Sequence, residues 1–556
     1  MPAKSKTQSF LSGALVLSLS MLLVKLIGAL FKIPLTNYIL GGTGNGYFST
    51  AYMLFAPIYA VATAGLPVAL AKLVAEHNAK RKSEEIRKLL NASKMLFWAV
   101  GIIGSLVIIL FSGVFVKTIV HNDKAFWSVI MIAPSVLFGC VTSIYRGYYE
   151  GLRNFRPTAV SQVVEALVKL VAGIGLSYAV IAVANDNFAA GRAVFGIMTT
   201  SAENAGYIAM PYAAAAATLG VTLSMLGGTV YSVIYHKIHS RGDRSRLDDR
   251  NTGKGRGIKT LLKLAVPISL GALVVNITSI VDLVSIMNAL RASINTDIDL
   301  FMKYWGSRIP AGMPVEDIPN FLYGSFTGLC VSLFALVPAF TASFGKSALP
   351  NIAAANSAGD GTALSSNIRS AIFTTGLISL PAGAGISLLS AEILTFLFKN
   401  KPIEIAVAAP VLSVMGLGVI FCAFAVPMFS VLQAMGRTDL PIKIMVIGTG
   451  AKLVCNTFLV PSPKLGIVGA GIGTVICYAL IFCMAYASIK KISKAKIKLF
   501  KTFWNALLGT GVMSFVILFG KSHGLSTPLL IAAGGGAYAA VVSGIILMKR
   551  AVRRRL

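Results

Sequence analysis

Charged side chains are scarce in this sequence of 556 residues. Asp, Glu, Lys and Arg together make up 13% of it, and the mean hydropathy is +0.77, whereas soluble domains carry about 25% charged residues. A soluble multidomain protein with this composition would need several separate cores, each built from helices that are apolar on all sides. The composition therefore favours an integral membrane protein.

The sequence also lacks the residue clusters that enzyme chemistry requires. Its six cysteines fall within apolar segments at spacings unlike those of metal sites, and its five histidines are scattered through links and segment ends. The Gly-rich run 41–46 has no Lys-Ser/Thr after it, so it predicts a tight turn rather than a phosphate-binding loop. We therefore expect no catalytic residue, no metal, no cofactor and no enzymatic activity.

Apolar runs of about 20 residues recur along the whole chain, and each can cross a ~30 Å hydrocarbon core as a helix. The first run continues past Lys25 to Ile33 and has no small-residue cleavage site, so it predicts a retained helix rather than a signal peptide. We predict an all-α integral membrane protein with about 14 transmembrane helices, at 9–33, 46–74, 95–117, 126–149, 157–183, 208–236, 260–288, 323–345, 370–398, 405–434, 441–461, 465–489, 500–520 and 526–548.

Two polar elbows suggest an internal repeat. Each joins an apolar helix to the next through a short segment with Gly, Arg and Pro, and Pro157 and Pro441 hold the equivalent places. A second matching pair, Leu66-Pro67 and Leu349-Pro350, has nearly the same offset, close to half of the chain. An internal repeat in a membrane protein is typical of a transporter.

Basic residues are concentrated in alternate links, which predicts an even number of spans with both termini in the cytoplasm. The net charge of +30 is then explained by topology and by attraction to anionic inner-leaflet lipids, so no nucleic-acid partner is expected. The polar, basic segment around 239–259 predicts a linker between the two halves. The outer link 291–322 predicts a partly amphipathic segment.

Ionisable residues inside the spans are the candidate functional residues, since each costs about 2.5–3.5 kcal/mol at a helix centre. Lys25 and Lys32 lie two turns apart on one face of the first helix with Gly28 between them, a stripe that fits a bulky anion such as a diphosphate. The alternative for Lys32, and also for the deeper Lys25, is that the side chain extends to the outer surface. Glu165 and Lys169 have the i, i+4 spacing of an intrahelical pair, with either a structural or a cavity role.

In the second half, Asp282 is surrounded by apolar and small residues, and Lys452 lies mid-span one turn before Asn456. We predict that Asp282 and Lys452 neutralise each other. The pair is either a coupling element or purely structural.

The runs RGYYEGLRNFRPTAVSQVVE, VKLIGALFKIPL and LGGTGNGYF, with the Leu66-Pro67 motif, resemble the polysaccharide-exporter branch of the MATE/MOP superfamily, particularly the stage V sporulation protein B group and the lipid II flippases. The resemblance implies a bacterial cytoplasmic-membrane protein with two six-helix lobes around a central cavity and two extra C-terminal helices. The domains would be 1–238, a linker at 239–259, 260–490, and helices 13 and 14 at 491–556.

The resemblance also implies export of an undecaprenyl-diphosphate-linked cell-wall or polysaccharide precursor. The implied partners are membrane lipids and cell-wall synthesis proteins. The role would be in sporulation or in vegetative growth. The family's basic residue on the first helix falls on Lys25, and Lys32 matches the one before Ile-Pro. The further cavity arginines of lipid II flippases have no counterpart here. Lys452 lies four residues before Asn456, at a position where some of these flippases would have a sodium ligand.

Two other hypotheses remain. A cation-coupled multidrug exporter of the same superfamily would use a carboxylate on the first helix, but no Asp or Glu occurs between Phe10 and Tyr38. A non-transporting membrane scaffold would leave the charges within the spans without a purpose.

Overall fold

The computed structural model describes residues 10–239, 254–493 and 499–555, and nearly all of these are helical. Most of the predicted linker 239–259 lies outside the described residues. The helices are α1 Phe10–Pro34, α2 Gly41–Ala79, α3 Ser83–Val114, α4 Phe126–Ile132, α5 Ser135–Gly151, α6 Arg156–Ala189, α7 Ala202–His239, α8 Lys254–Thr296, α9 Ile298–Trp305, α10 Ile318–Ser325, α11 Ser332–Phe334, α12 Leu336–Ser357, α13 Gly361–Leu388, α14 Ser390–Phe398, α15 Pro402–Ala434, α16 Asp439–Leu459, α17 Val468–Ser493, α18 Leu499–Ser522 and α19 Thr527–Arg555.

Thirteen helical stretches in the described ranges are long and apolar enough to cross a membrane, which confirms the all-α membrane fold. The first of them, Leu19–Ala79, runs from within α1 to the end of α2. The rings of Phe31 and Phe48 lie only 6.4 Å apart, although a straight helix would separate these residues by about 25 Å. The chain therefore folds back on itself in this stretch, near Gly41 with its φ of +53°, and the stretch holds two of the predicted spans.

The chain forms two compact units, Met1–Val284 and Ser285–Leu556, and the division falls inside α8. In the first unit, α2 packs against α3 and α5, α5 packs against α7, and α6 runs beside α7. In the second unit, α12 packs against α13 and α15, α15 packs against α17, and α16 runs beside α17. The same order of packing partners in both units agrees with the predicted repeat. The predicted domain boundaries themselves stay a prediction.

The two elbows have the same hydrogen-bond pattern. After α5, the amide of Arg153 donates to Glu150 O at 2.9 Å and that of Asn154 to Tyr149 O at 2.9 Å. After α15, Gly436 donates to Gln433 O and Arg437 to Leu432 O, both at 3.0 Å. This is the Schellman end of a helix, which needs a left-handed residue after the last turn. Gly436 supplies it with a φ of +81°, and Arg153 supplies it with a φ of +59°.

The segment 291–322, which was predicted to be partly amphipathic, contains the short helix α9. The Asp297 carboxylate accepts a hydrogen bond from Leu300 N at 2.8 Å and so caps the start of the helix. Phe301 and Trp305 on one face are buried. The Trp305 indole N–H donates to Pro463 O at 2.9 Å, which ties α9 to the segment between α16 and α17.

The last two helices pack on the second unit through specific contacts. The Phe503 ring of α18 occupies the space that a side chain at Gly376 would need. The Tyr538 hydroxyl of α19 donates to Leu377 O at 2.5 Å. Lys521 forms an ion pair with Glu392 at 2.6 Å.

Candidate functional site

The first unit contains a cavity of about 690 Å³ lined by residues of α1, α2, α5, α6, α7 and α8. Aromatic side chains on one face of α2 form one wall of it. The Tyr52 and Phe55 rings lie 5.7 Å apart, and those of Phe55 and Tyr59 lie 4.9 Å apart. Their i, i+3, i+7 spacing places them on one stripe of the helix.

Four charged side chains line this cavity: Lys25 on α1, Arg146 on α5, and Glu165 and Lys169 on α6. Gly28 lies in the lining as well, and a Cβ added there would meet no other atom within 4 Å. The structure thus places four of the five predicted substrate contacts, all except Lys32, at one cavity. Among these lining residues, three carry positive charge and one carries negative charge.

The carboxylate of Glu165 is bound by Arg146. Arg146 Nη2 donates to Glu165 Oε1 at 2.8 Å, and its Nε donates to Ser161 Oγ at 2.9 Å. The two charged side chains are 16% and 13% exposed, so the pair is largely but not fully removed from solvent. The predicted intrahelical pair of Glu165 with Lys169 is therefore wrong, because a guanidinium from a neighbouring helix holds the carboxylate with a charge-assisted hydrogen bond.

Lys169 instead packs over aromatic rings. Its Nζ lies 4.7 Å from the centroid of Phe31 and 5.9 Å from that of Tyr52. A cation over the face of a ring is attracted by the ring quadrupole. Within the described ranges, Lys169 has no ion pair, so its charge faces the cavity without a carboxylate.

Lys32 is not among the residues that line the cavity. Its Nζ donates to Asn45 Oδ1 at 2.5 Å and lies 4.8 Å from the centroid of the Phe48 ring. Asn45 Nδ2 in turn donates to Thr36 Oγ1 at 3.1 Å and to Gly41 O at 2.5 Å. This network joins α1 to the start of α2 where the chain folds back. A direct contact of Lys32 with substrate stays a prediction.

The charged and polar residues predicted in the second half of the sequence do not all belong to one compact unit. Asp282 belongs to the first unit, whereas Lys452 and Asn456 belong to the second. Lys452 and Asn456 are buried, and Asn456 Nδ2 donates to Ser285 Oγ at 2.9 Å. The pairing of Asp282 with Lys452 stays a prediction.

Arg146 lines the cavity but was not predicted as a site residue. It is the first residue of the run RGYYEGLRNFRPTAVSQVVE. Arg146 lies inside the predicted span 126–149. An arginine within an apolar span is itself a signal of a polar cavity, because such a charge needs a partner or water.

A family model described as polysaccharide biosynthesis protein matches residues 10–296, slightly more than half of the chain. The chain belongs to this family. A second model, described as lipid II flippase MurJ, matches residues 331–528.

The chain also has individual relatives that cover most of its length. It is 24% identical over 501 residues to lipid II flippase MurJ of Bacillus subtilis (strain 168), covering 87% of this chain and 83% of the relative. It is 23% identical to stage V sporulation protein B of the same organism, covering 98% and 96%.

Solved structures confirm the fold. The inward closed conformation of lipid II flippase MurJ matches with a TM-score of 0.67 at 15% identity, over 96% of this chain and 99% of that one. An inward-facing multidrug resistance MATE transporter of the MOP superfamily matches with a TM-score of 0.60, over 87% and 100%. The fold that the resemblance implies is therefore confirmed, and the chain is a multi-pass membrane protein.

Proposed function

We propose that this transporter is a flippase for an undecaprenyl-diphosphate-linked cell-wall or polysaccharide precursor, which it moves from the inner to the outer leaflet of the bacterial cytoplasmic membrane by alternating access. The names of the relatives support a lipid-linked substrate. The cavity of the first unit supplies the physical argument.

The charge balance of this cavity carries the proposal. Arg146 and Glu165 neutralise each other at 2.8 Å, and the two other charged residues of the lining, Lys25 and Lys169, are both positive. In a site of low dielectric constant, an ammonium binds an anion more strongly than it does in water. A diphosphate linker has the charge and the acceptor oxygens to occupy two such groups.

The same balance argues against the multidrug exporter. A site for organic cations needs uncompensated carboxylate, but Glu165, which lines the cavity, is already bound by Arg146. The first helix also carries no acidic residue between Phe10 and Tyr38.

Flipping in proteoliposomes tests the proposal. The full chain is reconstituted with a fluorescent undecaprenyl-diphosphate sugar, and separately with the same lipid carrying a monophosphate and with a fluorescent organic cation. We expect protein-dependent flipping of the diphosphate lipid, slower flipping of the monophosphate and no transport of the cation. Transport of the cation alone would contradict the proposal and favour the exporter.

The direction of transport rests on the proposed topology, with both termini in the cytoplasm. Leu556 lies outside the described residues. A reporter that works in the cytoplasm should be active when it is fused after Leu556. Activity of a reporter that works only outside the membrane would contradict this orientation.

A further inference from the structure

The contact between Arg146 and Glu165 lies in the wall of the cavity rather than behind it. Both side chains belong to the lining, and both retain some exposure. The guanidinium of Arg146 is the group best shaped to bind two oxygens of a phosphate, because its N–H donors form a rigid planar fork. In this structure, a carboxylate occupies one of those donors.

We propose that Glu165 is a built-in competing anion: it holds Arg146 while the cavity is empty, and a phosphate of the substrate displaces it. This inference rests on the proposed function and assigns Glu165 a role opposite to that of a substrate ligand. Because the carboxylate competes for the same guanidinium, it weakens substrate binding and speeds release.

The helix next to the pair is shaped to accept the carboxylate in its bound position. Glu165 packs against Gly228 of α7, and a Cβ added at Gly228 would overlap Glu165 Oε1 and lie 2.6 Å from its Cγ. Any larger residue at this position would force the Glu165 side chain to move. The missing side chain at Gly228 therefore leaves the space that Glu165 occupies when it pairs with Arg146.

The displaced carboxylate has a second cation within reach along its own helix. Lys169 follows Glu165 by four residues on α6, which is the spacing for an intrahelical ion pair with the acid first. Lys169 lies over the rings of Phe31 and Tyr52 and forms no ion pair in the part of the chain that the structure describes. Because an ammonium has three donors, Lys169 can hold the displaced carboxylate and a substrate phosphate at the same time, so displacement of Glu165 need not leave a carboxylate unpaired in the cavity.

Binding to the purified full-length protein tests this role. The probe is geranylgeranyl diphosphate in detergent, compared with geranylgeraniol, which has no phosphate. Because the neutral amide is a weaker acceptor for Arg146 than the carboxylate, we expect Glu165→Gln to bind the diphosphate roughly tenfold more tightly than wild type. Flipping of the diphosphate lipid in proteoliposomes should become slower, since release is slower.

Three further variants isolate the competition. Gly228→Ala keeps both charges but displaces the carboxylate, so it should also tighten binding, and it decides the matter if Glu165→Gln fails to fold. Arg146→Gln combined with Glu165→Gln should lose the gain. Glu84→Gln is the matched control: Glu84 lies outside the cavity lining and forms an exposed pair with Lys88 at 2.8 Å. It should leave the affinity unchanged.

Two failures have different meanings. If Glu165→Gln or Gly228→Ala weakens diphosphate binding or leaves it unchanged, Glu165 is not a competing anion, while the proposed function stands as long as wild type prefers the diphosphate to the alcohol. If wild type shows no such preference, the cavity is not a diphosphate site, and both proposals fail.

Discussion

Replacing Lys169 with methionine separates substrate binding from stability. Methionine keeps the length and most of the apolar stem of lysine but removes the charge. In the structure, the ammonium of Lys169 lies over the Phe31 and Tyr52 rings and has no ion pair among the described residues. The variant therefore removes a charge that faces the cavity and leaves no opposite charge without its partner.

The two effects on folding oppose each other. Losing both cation–π contacts costs about 0.5–1 kcal/mol each. Removing an ammonium from a largely desolvated position returns on the order of a few kcal/mol of desolvation free energy. We therefore expect Lys169→Met to fold and insert as well as wild type, and to have an equal or higher melting temperature.

Removing the Lys169 ammonium should weaken the binding of the diphosphate. A charge-assisted hydrogen bond between the ammonium and a phosphate contributes about 1.5–3 kcal/mol, so the dissociation constant for geranylgeranyl diphosphate should rise roughly ten- to a hundredfold. Titration of purified protein measures this change. Lys88→Met is the matched control, because Lys88 forms an exposed surface pair with Glu84 at 2.8 Å. Wild-type affinity of Lys169→Met at equal protein quality would refute the assignment of this lysine to the anion site.

Three further predictions concern other parts of the chain. Lys25→Ala should abolish flipping while leaving membrane insertion intact, and Lys25→Arg should retain part of the activity because the charge is kept; wild-type growth of Lys25→Ala in cells without a redundant flippase would contradict this. Asp282→Asn should cost several kcal/mol if Asp282 pairs with Lys452, and adding Lys452→Met should recover part of it, whereas strictly additive losses in the double-mutant cycle would exclude direct coupling. Arg153→Gly should stabilise the protein by about 1 kcal/mol because its left-handed backbone is unfavourable for a residue with a Cβ, and Gly436→Ala should destabilise it by a similar amount; thermal unfolding measures both, and equal melting temperatures would contradict the reasoning.

The helices could be predicted from the sequence because each long apolar run must satisfy its own backbone hydrogen bonds in a membrane. The elbows could also be predicted, since Gly and Pro mark the end of one helix and the start of the next. The merging of the first two spans into one helical stretch could not. The Gly-rich run 41–46 predicts a tight turn, and the chain does fold back near Gly41, but the structure continues the run as the first turns of α2.

The partner of Glu165 could not be predicted from helical spacing. Periodicity identifies neighbours along one helix, and Lys169 is the neighbour it gives. The actual partner, Arg146, is supplied by α5, and only the packing of α5, α6 and α7 brings the two together. The sequence could therefore predict residues that line one cavity, whereas the pattern of charge pairing among them depends on tertiary contacts.

The last two helices are part of the second unit's packing rather than a removable extension. Deleting them would take the Phe503 ring away from Gly376 and the donor of Tyr538 away from Leu377 O. It would also remove Lys521 from Glu392. A twelve-helix relative that dispenses with α18 and α19 would therefore need a side chain at the position of Gly376 and a neutral residue at that of Glu392. Loss of the helices and replacement of these two residues are thus expected to occur together in evolution.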